Sequence, residues 1–230
     1  MSRDGPTAIR TQTRRTVLAG LAGAGAALML PPGLARAERV FPAAGRVEFI
    51  GRRQRAVAGT YRFRFAQQSG RFTVRTDIDL DVRSGGATLW RYVHHAEEVW
   101  LAGWLDAVVT DTSDDGRRFQ VRAERQAGIF TGTVNGAAFT VSGYIIPASL
   151  WHRDTPGSQV LFDTVDGRVK VVRSTLLGRE AVPAGTATVS ARHFAITGGL
   201  IRDVWYDAEF GLVRIALPGR DGVPIVFNRV

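Results

Sequence analysis

Period-two alternation of apolar and polar side chains, interrupted at intervals by turn residues, most restricts what this chain can fold into. Tyr61, Phe63 and Phe65 fall on one side of an extended segment, and Thr60, Arg62 and Arg64 on the other. Phe72, Val74, Thr76, Ile78, Leu80 and Val82 share a face opposite Thr73, Arg75, Asp77, Asp79 and Asp81. Phe119, Val121 and Ala123 repeat the pattern against Arg118, Gln120, Arg122 and Glu124. Successive side chains of a strand point to opposite faces, so each run reads as a half-buried strand, apolar inside and polar outside.

The runs are separated by Ser69-Gly70, Ser84-Gly85-Gly86, Asp114-Asp115-Gly116, Asn135-Gly136, Asp166-Gly167 and Asp221-Gly222. Glycine after Asn or Asp supplies the positive φ of a tight hairpin. A long antiparallel meander follows, forming a curved sheet or an open or closed β-barrel. Helical periodicity is not sustained over three turns beyond residue 37. One short helical turn is expected over Pro147 to His152, with Pro147 at a first helical position. The segment from Ala137 to Gly157 loses the alternation and reads as a crossover between two runs of strands, with strands resuming at Val160. Val223, Ile225 and Phe227 alternate to the end and should tie the C-terminus into the sheet.

The N-terminal part is of another kind. Thr13-Arg14-Arg15-Thr16-Val17-Leu18 carries paired arginines, Val17 to Leu30 is an uncharged run of 14 residues, and Ala35-Arg36-Ala37 offers small residues for a signal peptidase. The run is short of the roughly 20 apolar residues that cross a bilayer. It is rich in Ala and Gly, which suits twin-arginine export better than the general secretory route; the latter and an uncleaved anchor are the alternatives. Gly20, Gly23 and Gly25 imitate a dinucleotide-binding pattern but lack the preceding strand. Residues 1–37 are therefore expected to be a cleaved twin-arginine signal peptide, and residues 38–230 a single all-β domain in the periplasm.

Charge and cysteine content remove several function classes. The net charge of +9 falls to about +5 for residues 38–230, whose 25 basic and 20 acidic residues are scattered along alternating segments. Nucleic acid is not an expected partner. The chain has no cysteine, which removes disulfides, thiolate zinc sites, cysteine-held iron–sulfur clusters and lipoprotein acylation.

The densest chemistry lies between Leu89 and Trp104. On a strand, Trp90, Tyr92, His94, Glu98 and Trp100 share one face, and an aromatic face with a few polar handles suits a ligand site. The same residues also suit a filled core. His94 and His95 point to opposite sides, and no paired-histidine spacing exists, so no metal is expected. Asp77, Asp79 and Asp81 lack the later glycine and glutamate of a calcium loop. Ser149 and His152 stand outside any nucleophile-elbow motif, and Trp205-Tyr206-Asp207 with Gly211 to Arg214 reads as a hairpin whose aromatics close the core.

Arg75-Thr76-Asp77-Ile78-Asp79, the stretch Arg91 to Trp100, the Asp114-Asp115-Gly116 turn and Val204-Trp205-Tyr206-Asp207 resemble, in this order, segments of a bacterial exported family known as domain of unknown function 6134. The resemblance covers Val47 to Arg229. It implies an envelope location and an all-β fold, and carries over no catalytic residues. The expected function is a non-enzymatic binding or carrier module for an apolar or amphipathic envelope molecule, held by Trp90, Tyr92, His94, Glu98 and Trp100. The alternatives are a hydrolase-like or isomerase-like enzyme using His94 and Glu98 as an acid/base pair, and an envelope assembly protein pairing through a sheet edge. The expected partners are the twin-arginine translocase and a signal peptidase during export, then a lipid or apolar small molecule. No cofactor and no permanent membrane anchor are expected.

Overall fold

The computed structural model describes residues 42–43, 45–209 and 211–230. The proposed signal residues Arg14, Arg15, Ala35 and Ala37 lie outside them. The first eight strands are β1 (Gly45–Arg53), β2 (Ala56–Gln68), β3 (Arg71–Ser84), β4 (Ala87–Leu101), β5 (Trp104–Asp114), β6 (Arg117–Gln126), β7 (Ile129–Val134) and β8 (Ala137–Ser142). After a crossover come β9 (Val160–Phe162), β10 (Val169–Ala184), β11 (Ala187–Gly198), β12 (Arg202–Tyr206), β13 (Leu212–Leu217) and β14 (Ile225–Arg229).

All fourteen lie in one antiparallel sheet, ordered β8 to β1, then β14 back to β9. Two meanders are thus joined at their start and finish, with Phe49 opposite Arg229 and Gly51 opposite Phe227. The C-terminal strand is central, between β1 and β13. Asn135 and Gly136, at φ of 48° and 85°, make the hairpin turn that their sequence predicts. Gly59 serves close packing of two strands instead. A Cβ there would lie 2.0 Å from the Asp79 carbonyl oxygen, so only glycine lets β2 approach β3 this closely. Register shifts in β1/β2, β3/β4, β4/β5, β10/β11 and β12/β13 add curvature.

The sheet curls without closing. Its end strands overlap: the Phe162 ring of β9 packs on Phe130 of β7 and Phe139 of β8, at 5.5 and 5.7 Å between centroids. The Thr110 hydroxyl of β5 donates to the Thr164 carbonyl at 2.7 Å. Of the alternating apolar residues named above, Tyr61, Phe63, Phe65, Phe72, Val74, Leu80, Val82, Val121, Ala123, Ile225 and Phe227 make the main core, with Ile78 packed against it, while Phe119 and Val223 stay outside it.

The crossover runs through this concave interior. Ile145, Ile146, Leu150, Trp151 and His152 are all buried. Buried backbone needs hydrogen-bond partners, and the sheet supplies them: Tyr61 donates its hydroxyl to the Ser149 carbonyl at 2.8 Å, and Tyr206 to the Leu150 carbonyl at 2.7 Å.

Three expectations are corrected here. The segment from Ala137 to Gly157 begins with a strand, β8, whose short Phe139/Val141 alternation pairs with β7. The helical turn lies not over Pro147 to His152 but over Thr155–Gly157, where Pro156 occupies the first turn. Pro147 is extended beside Phe162, and the bridge is made by Ile146 and Ala148 on either side of it, so its missing N–H costs nothing. Finally, Tyr206 joins the main core while Trp205 packs with Val182, Ala191 and Val213 in a separate small cluster, as adjacent strand residues must.

Candidate functional site

The inner face of β4 carries every residue of the expected ligand set, and the crossover divides them. At one end, the Trp90 indole N–H donates to Asp114 Oδ1 at 2.7 Å, and the Arg220 guanidinium sits over its ring at 5.2 Å. Tyr92 lies between Trp90 and His94, with centroids 5.7 and 6.2 Å away. His94 is 3% exposed and its Nδ1 lies 2.7 Å from Thr112 Oγ1. Burial lowers its pKa to about 4, so the imidazole is neutral near pH 7.

At the other end Glu98 is fully buried beneath the crossover. Its carboxyl accepts three hydrogen bonds: from Ser149 Oγ at 2.7 Å, Trp100 Nε1 at 3.1 Å and Trp151 Nε1 at 3.0 Å. Burial raises its pKa to about 7, against the pull of those three donors. Trp100 is equally inaccessible, its ring stacked on His152 at 5.1 Å. His94 and Glu98 are four residues apart on one strand, about 13 Å at the usual rise. They engage different partners and do not form an acid/base pair. Ser149 Oγ donates to Glu98 and to no histidine. Asp77, Asp79 and Asp81 pair along the outer face with His95, Arg91 and Arg83. Among the described residues no cluster could hold a metal ion.

Among the described residues, two cavities on the concave side stand out. The smaller, about 280 Å³, lies against Trp90, Tyr92 and His94. Ala148, Ser149 and Leu150 of the crossover form one wall, and Ile78, Leu80, Leu200, Ile215, Leu217 and Phe227 supply apolar surface. Arg202 and Asp163 also reach it. Asp163 accepts the Val165 N–H at 2.8 Å and lies 3.5 Å from Lys170 Nζ. Arg202 donates to the Ile201 carbonyl at 2.6 Å and, among the described residues, has no carboxylate within 4.0 Å. Burial lowers its pKa. Arg202 was not singled out from the sequence, although Arg202, Val204 and Tyr206 share one phase of β12 with two core residues. An arginine on the inward phase was the available signal.

The larger cavity, about 730 Å³, has an aromatic floor of Phe49, Phe63, Phe65 and Trp151. Arg153, Asp207, Glu209 and Arg229 bring charge to it. Phe63 and Phe65 were legible only as inward-facing, because alternation marks an inward side chain without saying whether anything covers it.

A search of curated proteins found no match. Among solved structures, the chain is similar to the crystal structure of a β-barrel-like protein of domain of unknown function DUF1849 from Brucella abortus. The TM-score is 0.59 at 12% sequence identity, over 83% of this chain and 97% of that one. That likeness concerns the fold alone. The family model of the domain of unknown function DUF6134 matches residues 50–230, so the chain belongs to the DUF6134 family.

Proposed function

We propose that this protein is a periplasmic binding or carrier module, exported by the twin-arginine route as a single domain of residues 38–230, that holds an apolar or amphipathic small molecule on its concave face. One observation carries the reading: after the crossover has filled much of the interior, cavities of about 280 and 730 Å³ remain, both walled largely by aromatic and aliphatic side chains. Ligand pockets in general span roughly 300–1,000 Å³ and have this lining. The ligand residues of the smaller cavity are Trp90, Tyr92 and His94. Glu98 and Trp100 act beneath it by anchoring the crossover. An acid/base enzyme is less well supported, because His94 and Glu98 are held apart and Glu98 lies sealed beneath the crossover, already bonded to three donors.

A second reading rests on β8. Its outer edge is unpaired among the described residues, and Ala137 to Ser142 contains no charge, proline or bulge to discourage a partner strand. Strand addition there would serve an assembly role.

Mass spectrometry of small molecules copurifying with the exported protein tests the carrier reading. Apolar or amphipathic species at near-stoichiometric amounts are expected. Their absence, together with no binding of aliphatic probes by the stripped, folded protein, would overturn it.

A further inference from the structure

The polar groups of the smaller cavity are unequally engaged. Four charged or titratable groups face it besides the two tyrosines: Asp114, Asp163, His94 and Arg202. Asp114 is paired with Arg220. Asp163 accepts a backbone N–H and lies 3.5 Å from Lys170, whose nearer partner is Asp166, and it also acts on Arg202 at longer range. His94 is neutral and bonded to Thr112. Tyr61 gives its hydroxyl to the Ser149 carbonyl. Two groups are left over. The Arg202 guanidinium has five N–H donors and uses one, on its neighbour's carbonyl. The Tyr92 hydroxyl has no protein partner among the described residues. A half-buried guanidinium with unused donors and, among the described residues, no carboxylate within 4.0 Å therefore lines the cavity together with Ile78, Leu80, Leu200, Ile215, Leu217 and Phe227; Asp163 acts on it only at longer range.

Elsewhere the sheet treats arginine differently. Arg62, Arg75, Arg83 and Arg91 lie outward, each beside a carboxylate. A guanidinium presents a planar fork suited to carboxylate or phosphate oxygens.

We propose that the smaller cavity binds the anionic end of a single-chain amphipathic molecule, a carboxylate or phosphate monoester, with Arg202 as its counter-ion, the Tyr92 hydroxyl as a second donor and the aliphatic walls around its tail. This rests on the binding role proposed above and names the ligand class of that site. The volume of about 280 Å³ suits one short chain rather than a two-tailed lipid.

Calorimetric titration of the full-length mature protein with decanoate, decyl phosphate and decanol tests it, on the wild type, Arg202→Met, Arg202→Lys and Tyr92→Phe. At least one anion should bind roughly tenfold or more tightly than decanol, the difference expected of a charge-assisted contact. Arg202→Met should abolish that preference while decanol binding persists. Arg202→Lys should keep part of it, and Tyr92→Phe should weaken the anion by a few-fold. Equal binding of decanol and both anions by the wild type overturns the anionic assignment and leaves the carrier reading standing. So does an undiminished preference in Arg202→Met. If none of the three binds the wild type, the carrier reading of this cavity fails as well. Should Arg202→Met not fold, the wild-type comparison and Arg202→Lys still decide the matter.

Discussion

Replacing Glu98 with glutamine separates the burial of this carboxyl from its hydrogen bonding. When protonated, Glu98 can accept both indole N–H groups on one oxygen and donate from the other to Ser149 Oγ. A glutamine side chain at this position can reproduce that pattern, with its carbonyl toward Trp100 and Trp151 and its amide toward Ser149. The variant therefore mimics the protonated acid at every pH. In the wild type the folded-state pKa is raised to about 7 from an ordinary value of 4.5. A carboxyl with a raised folded pKa contributes stability fully below about pH 4.5 and loses it as pH rises through about 7. A displacement of 2.5 between those values corresponds to about 3 kcal/mol at 1.36 kcal/mol per unit. Glu98→Gln should match the wild type near pH 4.5 and exceed it by about 3 kcal/mol at pH 8, roughly 6–12 °C in Tm for a domain of this size. Urea denaturation of both proteins across this range measures the difference, and contributions from other titrating groups cancel in it. A difference that stays flat with pH would refute the reasoning, because Glu98 would then titrate alike in the folded and unfolded chains.

The two buried histidines act in the opposite sense. Burial lowers the pKa of both His94 and His152 from 6.5, so their contributions fall as pH drops below 6.5. Between about pH 4.5 and 6.5, unfolding should take up about one proton net from these three groups, two gained by histidine and one lost by Glu98, and about two in Glu98→Gln; the pH slope of the unfolding free energy reads this directly. Trp151→Ala should cost about 3–5 kcal/mol, because the indole packs on Phe65, Phe72 and Trp100 and holds Glu98; a loss below about 1 kcal/mol in chemical denaturation would show that the crossover is not tightly packed. Replacing Arg14 and Arg15 together with lysine should trap the precursor in the cytoplasmic fraction, and unimpaired delivery to the periplasm would count against the twin-arginine route.

Local pattern located most of the strands and the side of each that faces inward, though it missed β8, whose alternation is only Phe139 and Val141 long. Alternation and turn chemistry act over two to four residues, so Phe63, Phe72 and Val121 announce their burial wherever the strand ends up. The same locality marked Trp90, Tyr92, His94, Glu98 and Trp100 as one inward row. It also made Arg202 visible in principle, on the inward phase of β12. Distant matters were decided by the tertiary structure. The curl of the sheet lets β9 overlap β7 and β8 instead of pairing with them, and whether a sheet closes depends on tilt and stagger accumulated over all its strands. The crossover is buried because Tyr61, Tyr206 and Thr110, far away in sequence, satisfy its carbonyls and that of Thr164. Its path seals Glu98 and Trp100 while leaving Trp90, Tyr92 and His94 beside a cavity. An alternating sequence determines which face a side chain takes; only the packed chain determines whether that face meets protein or an open cavity.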